Sequence, residues 1–216
     1  MDAPSTAQPS DALRWEQALQ LLALSGRPAP AGEPGSSPWL QSLIDELVDL
    51  SSRDSLTGLA NRRSFELALA REVDRVARSG EPALLLILDI DHFKRVNDTH
   101  GHGAGDALLR EFGHLLRTRL RAEDIVCRYG GEEFVLIMPE TTAAATLERA
   151  EALRTDTKSL TVRHYGQVLG AVTISIGVAL YPDHGATGEL VIRAADQALY
   201  RAKGDGRDCV RVAESD

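Results

Sequence analysis

Ala83-Leu84-Leu85-Leu86-Ile87-Leu88-Asp89-Ile90-Asp91 decides how this chain folds. Its apolar run is too short to span a membrane and too continuous for a strand with one wet face. It therefore predicts a central strand buried on both faces and ending in carboxylates. Alternation puts Asp89 and Asp91 on one face, with Ile90 opposite. Upstream, Asn61 can cap a helix that carries Phe65, Leu69, Val73 and Val76 on one side and ends near Ser79, before Gly80-Glu81-Pro82. Downstream, a polar, glycine-spaced stretch leads to a helix over 104–120 with Leu108, Leu109, Phe112, Leu115, Leu116 and Leu120. Ile125–Tyr129 and Glu133–Met138 read as short strands around Gly130-Gly131, a hairpin signal. A helix over 142–157, strands over 160–165 and 169–181, a helix over 187–203 and a strand over 208–212 complete the pattern. This order predicts an α+β fold: a central, mainly antiparallel sheet flanked by helices.

Residues 1–53 read differently. A helical pattern from Asp11 to Leu24, with Ser10 or Asp11 as cap, precedes the Pro/Gly/Ser-rich linker 26–38. A second helix begins near Pro38. Its Leu40, Leu43, Leu47 and Leu50 follow heptad spacing, widened by Trp39, Ile44 and Val48. The stripe fits either a short amphipathic helix lying on its own domain or a stem pairing two chains. The chain divides into this amino-terminal helical segment, dimerising or regulatory, and a domain over 54–213.

Composition narrows the function. The 216 residues carry 24 Lys and Arg against 32 Asp and Glu, a formal net charge of −8. Non-specific attraction to nucleic acid is thereby disfavoured. No apolar run is long enough for a membrane helix, and no secretory signal is visible. Cys127 and Cys209 form no CxxC pair, which excludes a cysteine-built zinc site and suggests a reducing, cytoplasmic compartment.

Two acidic points stand out: Asp89-Ile90-Asp91 at the strand end, and Glu132-Glu133 after Gly130-Gly131. Ionised carboxylates beside a core are costly unless paired or ligated. If the strand and hairpin are neighbours, one of the aspartates and Glu132 meet, and two hard oxygen ligands suit Mg²⁺. Between these points, Asn97 and Asp106 offer an amide and a carboxylate that match the edge of a guanine. Lys94, Lys203 and Arg207 supply cations for phosphates, and the His92 and Phe93 amides can cradle phosphate oxygens.

These residues lie in segments that resemble the GGDEF-domain diguanylate cyclases. The segments are Asp54-Ser55-Leu56-Thr57-Gly58-Leu59-Ala60-Asn61-Arg62, Asp89 to Lys94, Asn97-Asp98, Gly101-His102, Gly105-Asp106, Arg128 to Phe134, Ile174 to Ala179 and Ala198 to Gly204. They run in order over residues 54–212, and Glu132 makes the GGEEF variant. The resemblance implies a fold like that of class III nucleotidyl cyclases. It implies that two GTP molecules are joined into cyclic di-GMP with release of two pyrophosphates. Asp89, the Ile90 carbonyl and Glu132 would bind Mg²⁺, or Mn²⁺ in its place, and Glu132 or Glu133 would activate the 3′-hydroxyl. Asn97 and Asp106 would read guanine, and His92, Phe93, Lys94, Lys203 and Arg207 would hold the triphosphate. Arg121-Ala122-Glu123-Asp124 matches the family's RxxD inhibitory site for the product, with Arg75 as a further contributor. Asp208 stands where many relatives carry asparagine.

One such domain holds one GTP, so the resemblance implies a homodimer with two half-sites facing across a two-fold axis. A regulatory protein acting on residues 1–53 would fit this scheme; nucleic acid and membrane are not expected partners. The rival reading is a degenerate domain that binds GTP or cyclic di-GMP as a receptor. Such relatives usually lose the acidic residues, which are all present here.

Overall fold

The structure, a computed structural model, describes residues 15–214, which divide into two compact units meeting between Ser52 and Arg53. In the first unit, α1 spans Glu16–Leu24 and α2 spans Ser37–Ser52. The expected start at Asp11, with its Ser10 or Asp11 cap, lies outside the described residues. Leu22, Trp39 and Leu43 are buried, with Trp15, Leu19, Leu40, Leu47 and Leu50 packed around them. Trp15 meets Trp39 edge-on at 5.7 Å, and the Trp39 indole N–H donates to the Pro30 carbonyl at 3.1 Å. Arg27 bridges the linker to Glu46 at 2.7 Å and Asp49 at 2.5 Å. The leucine stripe of α2 is thus covered by α1 within the chain, a partner that heptad spacing does not reveal. Ile44 and Val48 of α2, and Leu21 and Leu24 of α1, stay exposed.

The second unit is built on a six-stranded sheet. Its strands are β1 (Ala60–Asn61), β2 (Ala83–Ile90), β3 (Ile125–Arg128), β4 (Glu133–Pro139), β7 (Ile174–Tyr181) and β8 (Val210–Val212), in the order β1-β3-β4-β2-β7-β8. A separate small hairpin pairs β5 (Arg163–His164) with β6 (Gln167–Val168). The central strand β2 pairs antiparallel with β4 and β7, and β3 with β4. Only the edge pairs β1–β3 and β7–β8 are parallel. All eight residues of β2 are buried, as its unbroken apolar run requires.

The helices are α3 (Arg62–Ser79), α4 (Phe93–His100), α5 (His102–Arg119), α6 (Ala143–Lys158) and α7 (Gly188–Gly204). Leu84, Leu86, Leu88 and Ile90 point into a core with Phe93, Leu108, Phe112, Leu116 and Leu153 of α4, α5 and α6. Leu85 and Ile87 face the opposite core, with Phe65, Leu69, Val191 and Leu199 of α3 and α7. Each such side chain contributes roughly 1.5–3 kcal/mol of burial. Asn61 caps α3 by accepting from the Ser64 amide at 3.0 Å, and Gly80 ends it in a left-handed conformation. No helix among the described residues is long and apolar enough to cross a membrane.

Two expectations are corrected. The polar stretch after β2 contains α4, an eight-residue helix in which Phe93 alone is buried, too little apolar pattern to betray it. The expected strands over 160–165 and 169–181 shrink to β5, β6 and β7. Val162, Leu169 and Val172 were apolar because they plug the core, not because their backbone joins the sheet.

Where α7 crosses β7, backbones nearly touch. A Cβ on Gly177 would lie 2.1 Å from the Ala195 carbonyl oxygen and 2.4 Å from the Leu199 nitrogen. Gly177→Ala is expected to cost about 1–3 kcal/mol or more in urea unfolding; an unchanged midpoint would contradict this packing.

Candidate active site

The end of β2 and the tip of the β3–β4 hairpin come together. Asp89 lies in register with Glu133, and the Ile90 N–H donates to the Glu132 carbonyl at 3.3 Å. The Asp89 carboxylate is buried and paired with Lys203 of α7 at 2.8 Å. Burial pushes its pKa above the ordinary carboxylate range; Lys203 opposes this and Asp91 adds to it. Burial also raises the Glu132 carboxyl, followed by the charge of Asp89, with Lys203 opposing and Glu133 reinforcing. Asp89, raised further by Asp91, and Glu132, raised further by Asp89, together form an acidic site that favours a cation. Among the described residues, no three His, Cys, Asp or Glu side chains gather as a ready ligand cluster. The donor set of Asp89, Glu132 and the Ile90 carbonyl is all hard oxygen. It fits a divalent ion that keeps waters and takes further oxygens from a phosphate.

The hairpin turn is held in an unexpected way. The expected hairpin forms around Gly130-Gly131, and neither glycine has a positive φ, so the turn does not depend on a left-handed backbone there. A Cβ on Gly130 would meet the Glu133 carboxylate at 3.0 Å, whereas one on Gly131 would meet nothing within 4 Å. The turn is braced by Arg128, which donates to the Gly131 carbonyl at 2.8 Å and pairs with Asp54 at 3.2 Å. Asp54 in turn accepts from the Thr57 amide at 2.8 Å and hydroxyl at 2.7 Å. Burial would raise the Asp54 carboxyl, but these bonds and Arg128 outweigh it and hold it below its usual value. Both residues stand in the segments singled out from the sequence, yet no pattern there links positions so far apart.

Beyond β2 the chain turns through His92, at φ 58, into α4. This brings Asn97 against the start of α5. A Cβ on Gly105 would fall 2.0 Å from the Asn97 Oδ1 and 3.0 Å from the Phe93 ring, so Gly105 is the space in which that amide sits. The Asn97 Oδ1 is buried and accepts no hydrogen bond. Buried acceptors are rarely left so, and an orphan one invites a donor from a ligand. Asp106 is exposed beside it, as are Lys94 and His92 on the first turn of α4, and Arg207 after α7. Asp91 is different: both its oxygens are spent on Thr173, Ser175 and the Asp208 amide, which leaves Asp89 as the strand-end carboxylate open to a ligand. Cys127 is buried, its thiol pushed up to about 12 chiefly by that burial, and is inert.

Arg121, Asp124 and Arg75 lie toward the other end of β4. Ile125 pairs with Ile137, and Ala83 with Pro139, so Asp124 sits roughly 20 Å along the strand from Glu133. The Asp124 carboxylate accepts from the Arg121 amide at 2.8 Å and is clamped by Arg149 of α6, a residue not singled out in the sequence. The Arg121 side chain is exposed. Arg75 grips Glu72 at 2.7 Å and reaches Glu140, just beyond β4, at 3.4 Å.

The raised carboxyls yield a stability prediction. A folded-state pKa above the unfolded value means that the native form binds the extra proton. Stability is therefore lost as pH rises through the interval between the two values, and the whole cost is present at neutral pH. Glu132→Gln removes one of the opposed charges. Without divalent metal it is expected to melt higher than the parent at neutral pH, with the gap closing at acid pH where both carboxyls are protonated. A lower melting temperature at neutral pH would show that Glu132 is not electrostatically strained.

Comparison with known proteins bears on this geometry. Residues 51–209 match the family described as "Diguanylate cyclase, GGDEF domain". The response regulator PleD of Caulobacter vibrioides is 44% identical over 174 residues, 80% of this chain and 38% of PleD. Diguanylate cyclase DgcP of Pseudomonas aeruginosa is 46% identical over 160 residues, 74% of this chain and 24% of DgcP. The chain thus spans well under half the length of these relatives. Among solved structures, the coiled coil and GGDEF domain of DgcB from Caulobacter crescentus, in complex with c-di-GMP, superposes with a TM-score of 0.77 at 33% identity. It covers 81% of this chain and 92% of that one. SiaD from Pseudomonas aeruginosa, in complex with its activator SiaC, gives a TM-score of 0.73 at 35% identity over 93% of this chain and 75% of that one. With its acidic hairpin beside the end of β2 and a family match over most of its length, the chain belongs to the GGDEF-domain family of diguanylate cyclases.

Proposed function

We propose that the chain is a diguanylate cyclase that condenses two GTP into cyclic di-GMP and two pyrophosphates. The observation that carries this reading is the meeting of Asp89 and Glu132 where the end of β2 joins the hairpin tip. A relative named for this activity, DgcP, and a GGDEF neighbour holding c-di-GMP support it. The 3′-oxygen of one GTP bonds to the α-phosphorus of the other as the bond to the pyrophosphate leaving group breaks. The same exchange then closes the ring. Asn97 and Asp106 accept from the guanine N–H groups, favouring GTP over ATP. Lys94, Lys203, Arg207 and the His92 and Phe93 amides hold the triphosphate. Glu132 or Glu133 takes the proton of the attacking hydroxyl. Asp89, Glu132 and the Ile90 carbonyl would hold Mg²⁺, or Mn²⁺, which when bound neutralises charge on the phosphoryl oxygens and lowers the hydroxyl pKa.

A single domain supplies one half-site, so the active form is a homodimer about a two-fold axis. The SiaD likeness covers 93% of this chain, more than the family match at residues 51–209, and SiaD was solved in complex with its activator. This supports residues 1–53 as the part on which a regulatory protein acts. The two free cysteines fit a cytoplasmic setting. Product inhibition would run through Arg121, Asp124 and Arg75.

The test is incubation of the full chain with Mg²⁺ and GTP or ATP, read by pyrophosphate release and by chromatography. Cyclic di-GMP is expected from GTP alone and at least a hundredfold less from Glu132→Gln. Tight GTP binding without pyrophosphate would instead identify a receptor. In a second titration, added product should inhibit the parent and inhibit Arg121→Ala at least tenfold less; equal inhibition would remove Arg121 from that site.

A further inference from the structure

Asp91 is a buried carboxylate that the proposed chemistry does not use. It is 6% exposed, yet it pairs with no cation. Its Oδ1 accepts from the Ser175 hydroxyl at 2.7 Å. Its Oδ2 accepts from the Thr173 hydroxyl at 2.7 Å and from the Asp208 backbone N–H at 3.1 Å. Two of these contacts fix the carboxylate to β7 and the strand leading into it. The third reaches across to the turn that follows α7, which carries Arg207 and follows directly on Lys203.

That turn is conformationally costly. Gly206, Arg207 and Asp208 stand in succession at φ 104, 64 and 47, and two of the three are not glycine. Such a run persists only when its surroundings over-determine it. Here the Arg207 amide donates to the Ala202 carbonyl at 3.1 Å and the Asp208 amide to Asp91. From the outer side, the Asp208 carboxylate is gripped by Arg154 at 2.7 Å and Lys158 at 2.5 Å, both on α6. The Arg207 side chain is left exposed, with its charge felt at Asp89.

We propose that Asp91 is a positioning residue for the substrate's phosphates: through the Asp208 N–H it pins the Gly206–Asp208 turn to the end of β2, and Arg154 and Lys158 close the turn from outside. This rests on the reading of Arg207 as a triphosphate contact. A carboxylate suits the task because its two oxygens accept all three bonds at once, and a side chain without an acceptor would release the Asp208 N–H.

The test is binding by the full chain, by calorimetry with Mg²⁺, of guanosine and of a GTP analogue with a methylene between the α- and β-phosphorus. Asp91→Ala, which removes the acceptor of the Asp208 N–H, is expected to leave guanosine affinity within twofold and to lower analogue affinity tenfold or more. Arg207→Ala should show the same selective loss, and the double variant should be no worse than Arg207→Ala alone, since Asp91 acts through that side chain. Arg154→Gln with Lys158→Gln, on α6, should lower analogue affinity severalfold at constant guanosine affinity, and decides the matter if Asp91→Ala does not fold. Equal losses for both ligands, or additive losses in the double variant, would overturn the proposal. If the parent binds the analogue no better than guanosine, the triphosphate reading itself fails, an outcome distinct from the others.

Discussion

Like charges crowded at the end of a buried strand are the constraint around which the second unit is arranged. The apolar run of β2 delivers Asp89 to a place where water is scarce, and the register with β4 delivers Glu132 beside it. Neither carboxyl is comfortable there, and Lys203 offsets only part of the cost. Stability could be improved by neutralising either acid. The sheet, its two cores and the braced hairpin serve to hold this unfavourable pair in place.

The braces are themselves electrostatic and sit to either side. Asp54 and Arg128 fix the turn that carries Glu132, and Asp54 is relaxed by its partners where Asp89 is not. Lys203 reaches Asp89 from α7, and the ion pairs of Asp208 with α6 anchor the segment just beyond. A net acidic chain thereby concentrates cations where phosphates would arrive, so the overall charge of −8 does not describe the local field.

Much of this was legible in the sequence because short-range chemistry wrote it there. The continuous run of β2 announced a two-sided strand, Asn61 announced a helix start, and the strands around Gly130-Gly131 announced a hairpin. That one of the aspartates would meet Glu132 could be read from a strand end beside a hairpin tip, while the choice of Asp89 came from the family resemblance. The failures share a cause: they depend on contacts distant in sequence. The helix α4 has one buried apolar residue and is made by its neighbours. The α2 stripe left two readings open, packing within the chain or pairing of two chains, because α1, which packs on it, lies across a proline-rich linker. Asp91 and Asp89 are indistinguishable by alternation, and only their partners separate them: Thr173, Ser175 and the Asp208 amide for Asp91, Lys203 for Asp89.

The two glycines of the hairpin turn divide between them what the protein and its cargo demand. Gly130 answers to the fold, since any larger residue would press on Glu133. Gly131 answers to nothing inside the chain: its backbone is ordinary and its surroundings are empty. Any intolerance of a methyl group at that position would therefore report a contact made from outside the chain, making residue 131 a ruler for whatever docks against the hairpin tip.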